Sequence, residues 1–394
     1  MKKAETAQLP ADALVAARAL FPSLAQGKLY LNHAGTSPLS TRVVAAMTEY
    51  LQRRSAGMID TYPDDCTMVE RCRAAVARLV NAESPGRIAF QASTSDAINV
   101  LASGLPWQSG DSILLGAIEF PANVYPYLNL RSRGVSIDHL EAPDGCITTD
   151  LIASRITPRT RLVALSAVQY LSGYRADLRA IGALCRSKGI TFAVDGIQAV
   201  GAVRVDVQRQ NVDFLAAGAQ KWQMGPHGSG ILYLTEDLQS RIRQRSLGWL
   251  AVEDPWRFYD YDQPLASSAR RYEGGSMNMP GLWGLDAAIG TILEFGPDRI
   301  ESHILSITGE LIERLRGISG VSLLTPAEAD QRAGIVTVAL ESAQHASRSY
   351  ERLVSRGLTI AVREGKLRYS PHFYNSMDDV RRAAELTGES LRQD

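Results

Sequence analysis

Val194-Asp195-Gly196-Ile197-Gln198 closes an apolar, β-branched run that begins at residue 190, and further on the chain reads Gly218-Ala219-Gln220-Lys221-Trp222. Residues 190–194 have the composition of a buried strand, and the polar Asp195 stands where the strand stops. In an open α/β sheet that end is where ligands bind. Lys221 follows a second short apolar run, residues 212–217, and precedes the Gly- and Pro-rich residues 224–230. A lone lysine is ordinarily a solvated surface charge. An acid at a strand end together with a lysine in a turn of small residues is a more specific combination.

Working outward, strand and helix patterns alternate from residue 112. Residues 113–115, 135–139, 162–166 and 190–194 read as strands, with helices at 123–133, 149–155 and 178–188 between them. Such alternation predicts a largely parallel sheet with helices on both faces. Residues 88–90 add a strand and 229–234 a returning one. Helical periodicity marks 11–20, 41–52 and 69–79, with a loop over 55–66. Residues 287–315 are helical with a break at Gly296-Pro297. Beyond it, 335–340, 358–362 and 367–370 read as short strands beside two helices. The expected fold is α/β: a large domain over 28–296 with a mainly parallel sheet, a small C-terminal α+β domain over 297–394, and an N-terminal segment, 1–27, joining the small domain.

Composition removes several classes. The 394 residues, 45% apolar, suffice for two domains with a real core. Lysine plus arginine (42) balances aspartate plus glutamate (42), which argues against a nucleic-acid binder. Arg241, Arg243 and Arg245 read as the solvated face of a helix. No run of about 18 apolar residues suggests a membrane span. Residues 1–10 lack the apolar core of a secretory signal. Cys66, Cys72, Cys146 and Cys185 have no metal-ligand spacing, so no metal is expected. Reduced thiols in a cytoplasmic protein fit best.

The Asp195 and Lys221 pair suggests pyridoxal phosphate. The lysine forms the Schiff base, and the carboxylate keeps the pyridinium nitrogen protonated so that the ring acts as an electron sink. Ser93-Thr94-Ser95 opens a helix whose exposed N–H groups and dipole suit a phosphate, although Ser and Thr are also ordinary caps. With these residues the chain resembles the class V aminotransferase family of pyridoxal phosphate enzymes, fold type I. Its cysteine desulfurase, selenocysteine lyase-like and isopenicillin N epimerase-like branches are the nearest, from about residue 29 to the last helix.

The resemblance implies a seven-stranded type of sheet and assigns further residues. Thr94 and Ser95 align with the turn that holds the cofactor phosphate. Gln220 stands where relatives often have histidine and also suits the phosphate. Gln198 aligns with the residue that bonds the cofactor's 3′ oxygen. Phe120, in Glu119-Phe120-Pro121-Ala122-Asn123, stands where desulfurases carry a histidine; it stacks on a ring but transfers no proton. Arg271-Tyr272-Glu273-Gly274-Gly275-Ser276 is similar to the stretch whose glycine and hydroxyl, here Gly275 and Ser276, reach the phosphate of a neighbouring subunit. That implies a homodimer with shared active sites. Arg368, in Leu367-Arg368-Tyr369-Ser370-Pro371, matches the arginine that binds the substrate's α-carboxylate, which implies an α-amino acid substrate. His33 aligns near the substrate pocket and is either a contact or structural. Gln169 is a further cofactor or substrate contact, since Tyr170 stands where desulfurases have asparagine. Arg175 is a pocket residue or a loop charge.

The residues leave the reaction branched. Lyase or aminotransferase chemistry is the first reading, with an amino-acid epimerase next. A non-catalytic binding protein of the same fold is the alternative of a different class. A desulfurase attacks sulfur with its own thiolate, from a loop before the carboxylate arginine. No cysteine follows Cys185, so the expectation is an enzyme that is not a persulfide-forming cysteine desulfurase.

Overall fold

The computed structural model describes residues 7–59, 61–142 and 145–392. Residues 1–6, within the stretch read above as carrying no secretory signal, lie outside it. In chain order the strands are β1 (Leu29–Tyr30), β2 (Ile88–Gln91), β3 (Ser112–Gly116), β4 (Ser136–Leu140), β5 (Thr160–Ser166), β6 (Thr191–Asp195), β7 (Phe214–Gly218), β8 (Gly230–Leu234), β9 (Ser322–Leu323), β10 (Val336–Ala339), β11 (Leu358–Thr359), β12 (Ala361–Arg363) and β13 (Lys366–Tyr369).

Seven of them form one sheet in the order β2-β8-β7-β6-β5-β3-β4. Neighbours from β7 through β4 run parallel, while β8 is antiparallel to both β7 and β2. The returning strand is therefore β8. β6 is central and buried along its whole length, which is why its sequence is a continuous apolar run and not an alternating one. Asp195 is its last residue, in register with Ser166 on β5 and Ala216 on β7. Helix Leu178–Lys188, which feeds β6, starts where Asp177 accepts from Ala180 N and stops at Gly189, φ 65°. Both are common helix-end devices.

A second sheet, β12-β13-β10-β9, is antiparallel throughout. It packs on helix Pro297–Arg316, whose Ile307, Leu311 and Leu315 share a core with Val336, Val338 and Leu367. The helical stretch before it is broken at Gly296, φ 88°, a conformation open to glycine, and Pro297 restarts the helix where its missing N–H costs nothing. β1 pairs in parallel with β11, and Arg18 reaches Asp379 at 2.6 Å. The N-terminal segment thus packs on the C-terminal elements.

Four expectations need revision. Residues 123–133 are not one helix: Pro121–Asn123 and Asn129–Arg133 are 3-10 turns around a single turn at Tyr125–Leu128. Pro126 removes an N–H, and Val124 has left helical geometry (φ −120°). The helix expected at 69–79 begins at Tyr62, because Pro63 is tolerated in a first turn and Asp64 and Asp65 suit its dipole. Residues 358–362 divide between two sheets at Ile360. Helix Glu236–Arg241 ends at the first arginine of its cluster, leaving Arg243 and Arg245 beyond it.

Candidate active site

The C-terminal ends of β6 and β7 open into a cavity of about 310 Å³. Asp195 is 2% exposed there, and its Oδ1 accepts from Ile197 N at 2.9 Å, which fixes its direction. Lys221 sits in the turn after β7. That turn is held at two points: Gly218 N donates to Thr94 Oγ1 at 2.8 Å, and Ser37 N donates to Gln220 O at 2.8 Å. Behind it Trp222 is fully buried; a Cβ at Gly334 would lie 2.2 Å from the indole, so glycine is required at 334.

The first turn of helix Thr94–Gly104 lines the same cavity through Thr94 and Ser95, with Ser93 capping the helix by accepting from Asp96 N. Phe120 lines it from the segment after β3. The Lys221 Nζ lies 5.4 Å from the centre of its ring. Phe120 is 42% exposed and therefore not a core residue. Gln198 and Gln220 complete this side. Gln198 is positioned from both ends: its Oε1 accepts from Trp222 Nε1 at 2.7 Å and its Nε2 donates to Ala34 O at 3.2 Å, which leaves one amide N–H.

Arg368 enters from β13. It is 2% exposed, and one of its N–H groups donates to Tyr170 O at 2.7 Å. Its Nε is buried and has no partner. An orphaned guanidinium N–H costs free energy unless a ligand arrives. The donor set fits pyridoxal phosphate: helix-start donors for the phosphate, a carboxylate for the ring nitrogen, an aromatic face, and an amine between them.

Other sequence candidates lie elsewhere. Gly275 and Ser276 line a separate cavity of about 240 Å³ with Phe90, Gly228 and Leu282; within one chain they do not meet Lys221. His33 is a correction. It is fully buried behind the cavity, with Nε2 2.6 Å from Tyr374 Oη and its ring against His372 and Trp222. Gln169 is a second correction. Its Oε1 accepts from Leu171 N and Ser172 N and its Nε2 donates to Ile118 O, so it shapes the loop and leaves the cavity to Tyr170. Arg175 is a loop charge paired with Glu301 at 2.6 Å.

Two cavity-related residues escaped the sequence reading. Glu119 is a buried carboxylate whose oxygens accept from Ser166 N at 2.8 Å, the Ser166 hydroxyl and Asn123 Nδ2. It ties the Phe120 segment to the end of β5. Arg363 lines the cavity beside Arg368. Its signal was available: Glu364-Gly365 is a two-residue turn that puts the flanking residues on one hairpin.

Burial raises the Asp195 carboxyl to about 7, the Glu119 charge adding to the effect. Burial also lowers the Lys221 amine to about 8, with Asp195 opposing and Arg368 and Arg363 reinforcing. A neutral amine is the form that attacks a carbonyl, so a lowered value extends reactivity to lower pH. Uptake of pyridoxal phosphate by the apoprotein is expected to accelerate through about pH 8 and not through 10.5. Stopped-flow absorbance across that range checks it; a rate that rises only near the ordinary lysine value contradicts the burial argument.

A family model described as Aminotransferase class-V matches residues 29–382. The chain belongs to the class-V aminotransferase family. A probable cysteine desulfurase of Methanothermobacter thermautotrophicus is 29% identical over 94% of this chain and 95% of its own length. The apo structure of a cysteine desulfurase from Thermococcus onnurineus superposes with a TM-score of 0.87 at 25% identity, covering 99% and 100% of the two chains. A complex of the cystine C-S lyase C-DES with its reaction product cysteine persulfide shares the fold, with a TM-score of 0.85 at 23% identity over 94% and 99% of the chains. This class-V protein is accordingly a pyridoxal phosphate-dependent α/β enzyme acting on an α-amino acid by lyase or aminotransferase chemistry.

The expectation that it is not a persulfide-forming cysteine desulfurase is overturned. Relatives named cysteine desulfurases align over nearly the whole chain. The exclusion treated an enzyme thiolate as the sole route to a persulfide. Cleaving carbon–sulfur in a disulfide amino acid releases one directly. No helix among the described residues is long and apolar enough to cross a membrane.

Proposed function

We propose that the enzyme cleaves the Cβ–S bond of a sulfur-bearing α-amino acid. The observation that carries this is the pairing in one cavity of an amine base, Lys221, with a buried carboxylate anchor, Arg368; the ring facing Lys221 is Phe120, which transfers no proton, and the one phenol in the lining is Tyr170. A thiolate, with an ordinary pKa of about 8.5, leaves without being protonated; a poorer leaving group would need an acid. When bound, pyridoxal phosphate supplies the electron sink for the pair left at Cα.

In this reading Thr94, Ser95 and Gln220 hold the phosphate. The Thr94 hydroxyl accepts from Gly218 N and still has its own O–H to give. Asp195 would serve the ring nitrogen, Gln198 would offer its remaining N–H to the 3′ oxygen, and Phe120 would supply an aromatic face for the ring. Arg368 orients the substrate by its carboxylate, which brings Cα to Lys221. Lys221 removes the Cα proton, the electron pair moves toward Cβ, and sulfur departs with the bonding pair as a thiolate, or as a persulfide from a disulfide. The test is the product set from cysteine, cystine and S-alkylcysteines. Equal amounts of ammonia, 2-oxo acid and a sulfur product are expected. A 2-oxo acid that keeps its sulfur, formed with no ammonia, would establish transamination instead, and a racemised substrate would establish epimerisation.

A homodimer completes the reading, with Gly275 and Ser276 of a second copy closing the phosphate site. Beside them Trp249 packs on Gly275 and against Trp256 and Phe258, and these rings are exposed, as are Tyr259 and Tyr261 further along the same segment; exposed apolar clusters often mark an interface. Sedimentation of the cofactor-loaded protein is expected to give a dimer; a fully loaded monomer at micromolar concentration would remove this part. We also place the boundary between a large and a small domain at Gly296, assign the N-terminal segment to the small one, and favour a cytoplasmic location, since no disulfide joins the cysteines among the described residues. Limited proteolysis near residue 296 and cell fractionation test these two points.

A further inference from the structure

We propose that Arg363 selects substrates whose side chain ends in an anion, so that the cavity takes a dianionic amino acid. This rests on the carbon–sulfur lyase reading and deepens it. Arg363 and Arg368 lie on adjacent strands of one tight hairpin. Ala361 pairs with Arg368 and Arg363 with Lys366. Because side chains alternate along a strand, residues 361, 363, 366 and 368 all project from one face. Arg363 is then the diagonal neighbour of Arg368, roughly 7–8 Å away across the pair. The turn between them, Glu364-Gly365, has φ of 47° and 68°, the left-handed pair of a two-residue hairpin loop, which holds this spacing.

The two guanidiniums differ in circumstance. Arg368 is buried and reaches Tyr170 O, with Nε lacking a partner. Arg363 is exposed at the cavity wall, and its one hydrogen bond runs to the adjoining Val362 O at 2.8 Å. Among the described residues it forms no ion pair with a carboxylate, and the only carboxylate in the cavity lining is Asp195. Once Arg368 holds the α-carboxylate, Arg363 is the cation left at the cavity wall with solvent as its main partner, and a second anion on the substrate exchanges that solvent for a charge-assisted hydrogen bond. The diagonal spacing suits a carboxylate or sulfonate-type group a few bonds beyond Cβ. Across a scissile Cβ–S bond, that group belongs to the departing sulfur fragment, so Arg363 reads the leaving group and Arg368 the retained half.

Binding tests this apart from turnover. Calorimetric titration of the cofactor-loaded protein with glutamate and with its neutral isostere glutamine is expected to favour glutamate by about tenfold, the order of a charge-assisted hydrogen bond at a partly solvated site. In Arg363→Gln that ratio falls toward one, and Arg363→Lys restores part of it. Each ratio is internal to one variant, so a change in the amount of folded protein does not affect it. Turnover is read as the kcat/KM ratio of S-carboxymethylcysteine to S-carbamoylmethylcysteine, with the same ordering expected and carried by KM. A ratio near one in the unaltered protein, or one that Arg363→Gln leaves standing, overturns the proposal. If neither sulfur compound is cleaved, the lyase reading falls while the glutamate-to-glutamine ratio still decides the role of Arg363.

Discussion

Lys221→Ala is expected to lower turnover by about four orders of magnitude or more, since the proposed mechanism makes the residue both the attachment point and the base at Cα. The same change should abolish the visible absorption of covalently held pyridoxal phosphate. Stability should move the other way. Burial holds the amine's folded value at about 8, below its ordinary 10.5. A lowered lysine value means that the protonated form is disfavoured in the folded chain. The penalty is fully present below pH 8 and fades as pH rises through 10.5. At pH 7 the alanine apoprotein should therefore melt no lower than the parent apoprotein. A variant that retains turnover, or one that melts well below the parent, would show that Lys221 is a structural residue.

Arg368→Gln is expected to lower kcat/KM by about two to three orders of magnitude, the scale of removing one partner from a buried charge pair. Most of the loss should fall in KM, because the carboxylate is bound alike before and during reaction. The parent should discriminate strongly between an amino acid and the amine that lacks its carboxylate, and the variant should not. If the variant still prefers the amino acid as strongly as the parent, Arg368 does not bind the α-carboxylate. Glutamine keeps a hydrogen-bonding group within reach of Tyr170 O, which limits collapse of the Arg368 site.

Much of this architecture is visible in linear order because the central strands are buried on both faces. β5, β6 and β7 had to be apolar runs, and Asp195 at the end of one could only face the ligand edge of the sheet. The break at Gly296-Pro297 was equally plain, since both residues interrupt a helix for backbone reasons alone. The difficulties came where tertiary contacts decide. His33 and Gln169 have polar atoms suited to a ligand, but Tyr374 takes the His33 Nε2 and the loop backbone takes the Gln169 amide. Nothing local distinguishes those cases. Glu119 was overlooked for the converse reason: its role depends on Ser166, a residue 47 positions away. Ser276 is another kind of case, since its proposed ligand belongs to a second chain.

The pairing of β1 with β11 sets an order of assembly during synthesis. All the strands of the seven-stranded sheet emerge between residues 88 and 234, so Asp195, Lys221 and the helix at Thr94 can come together while the C-terminal part is still being made. Leu29 must wait for Leu358, and Arg18 for Asp379 across 361 residues. Since domains fold largely as units while the chain emerges, the cofactor-holding half is complete first. Arg368, which closes the substrate half, arrives nearly last. On the proposed roles, a growing chain can capture pyridoxal phosphate before it has Arg368 to hold an amino acid, and the β1 edge, unpaired until β11 emerges, makes the interval before release the one most exposed to misassembly.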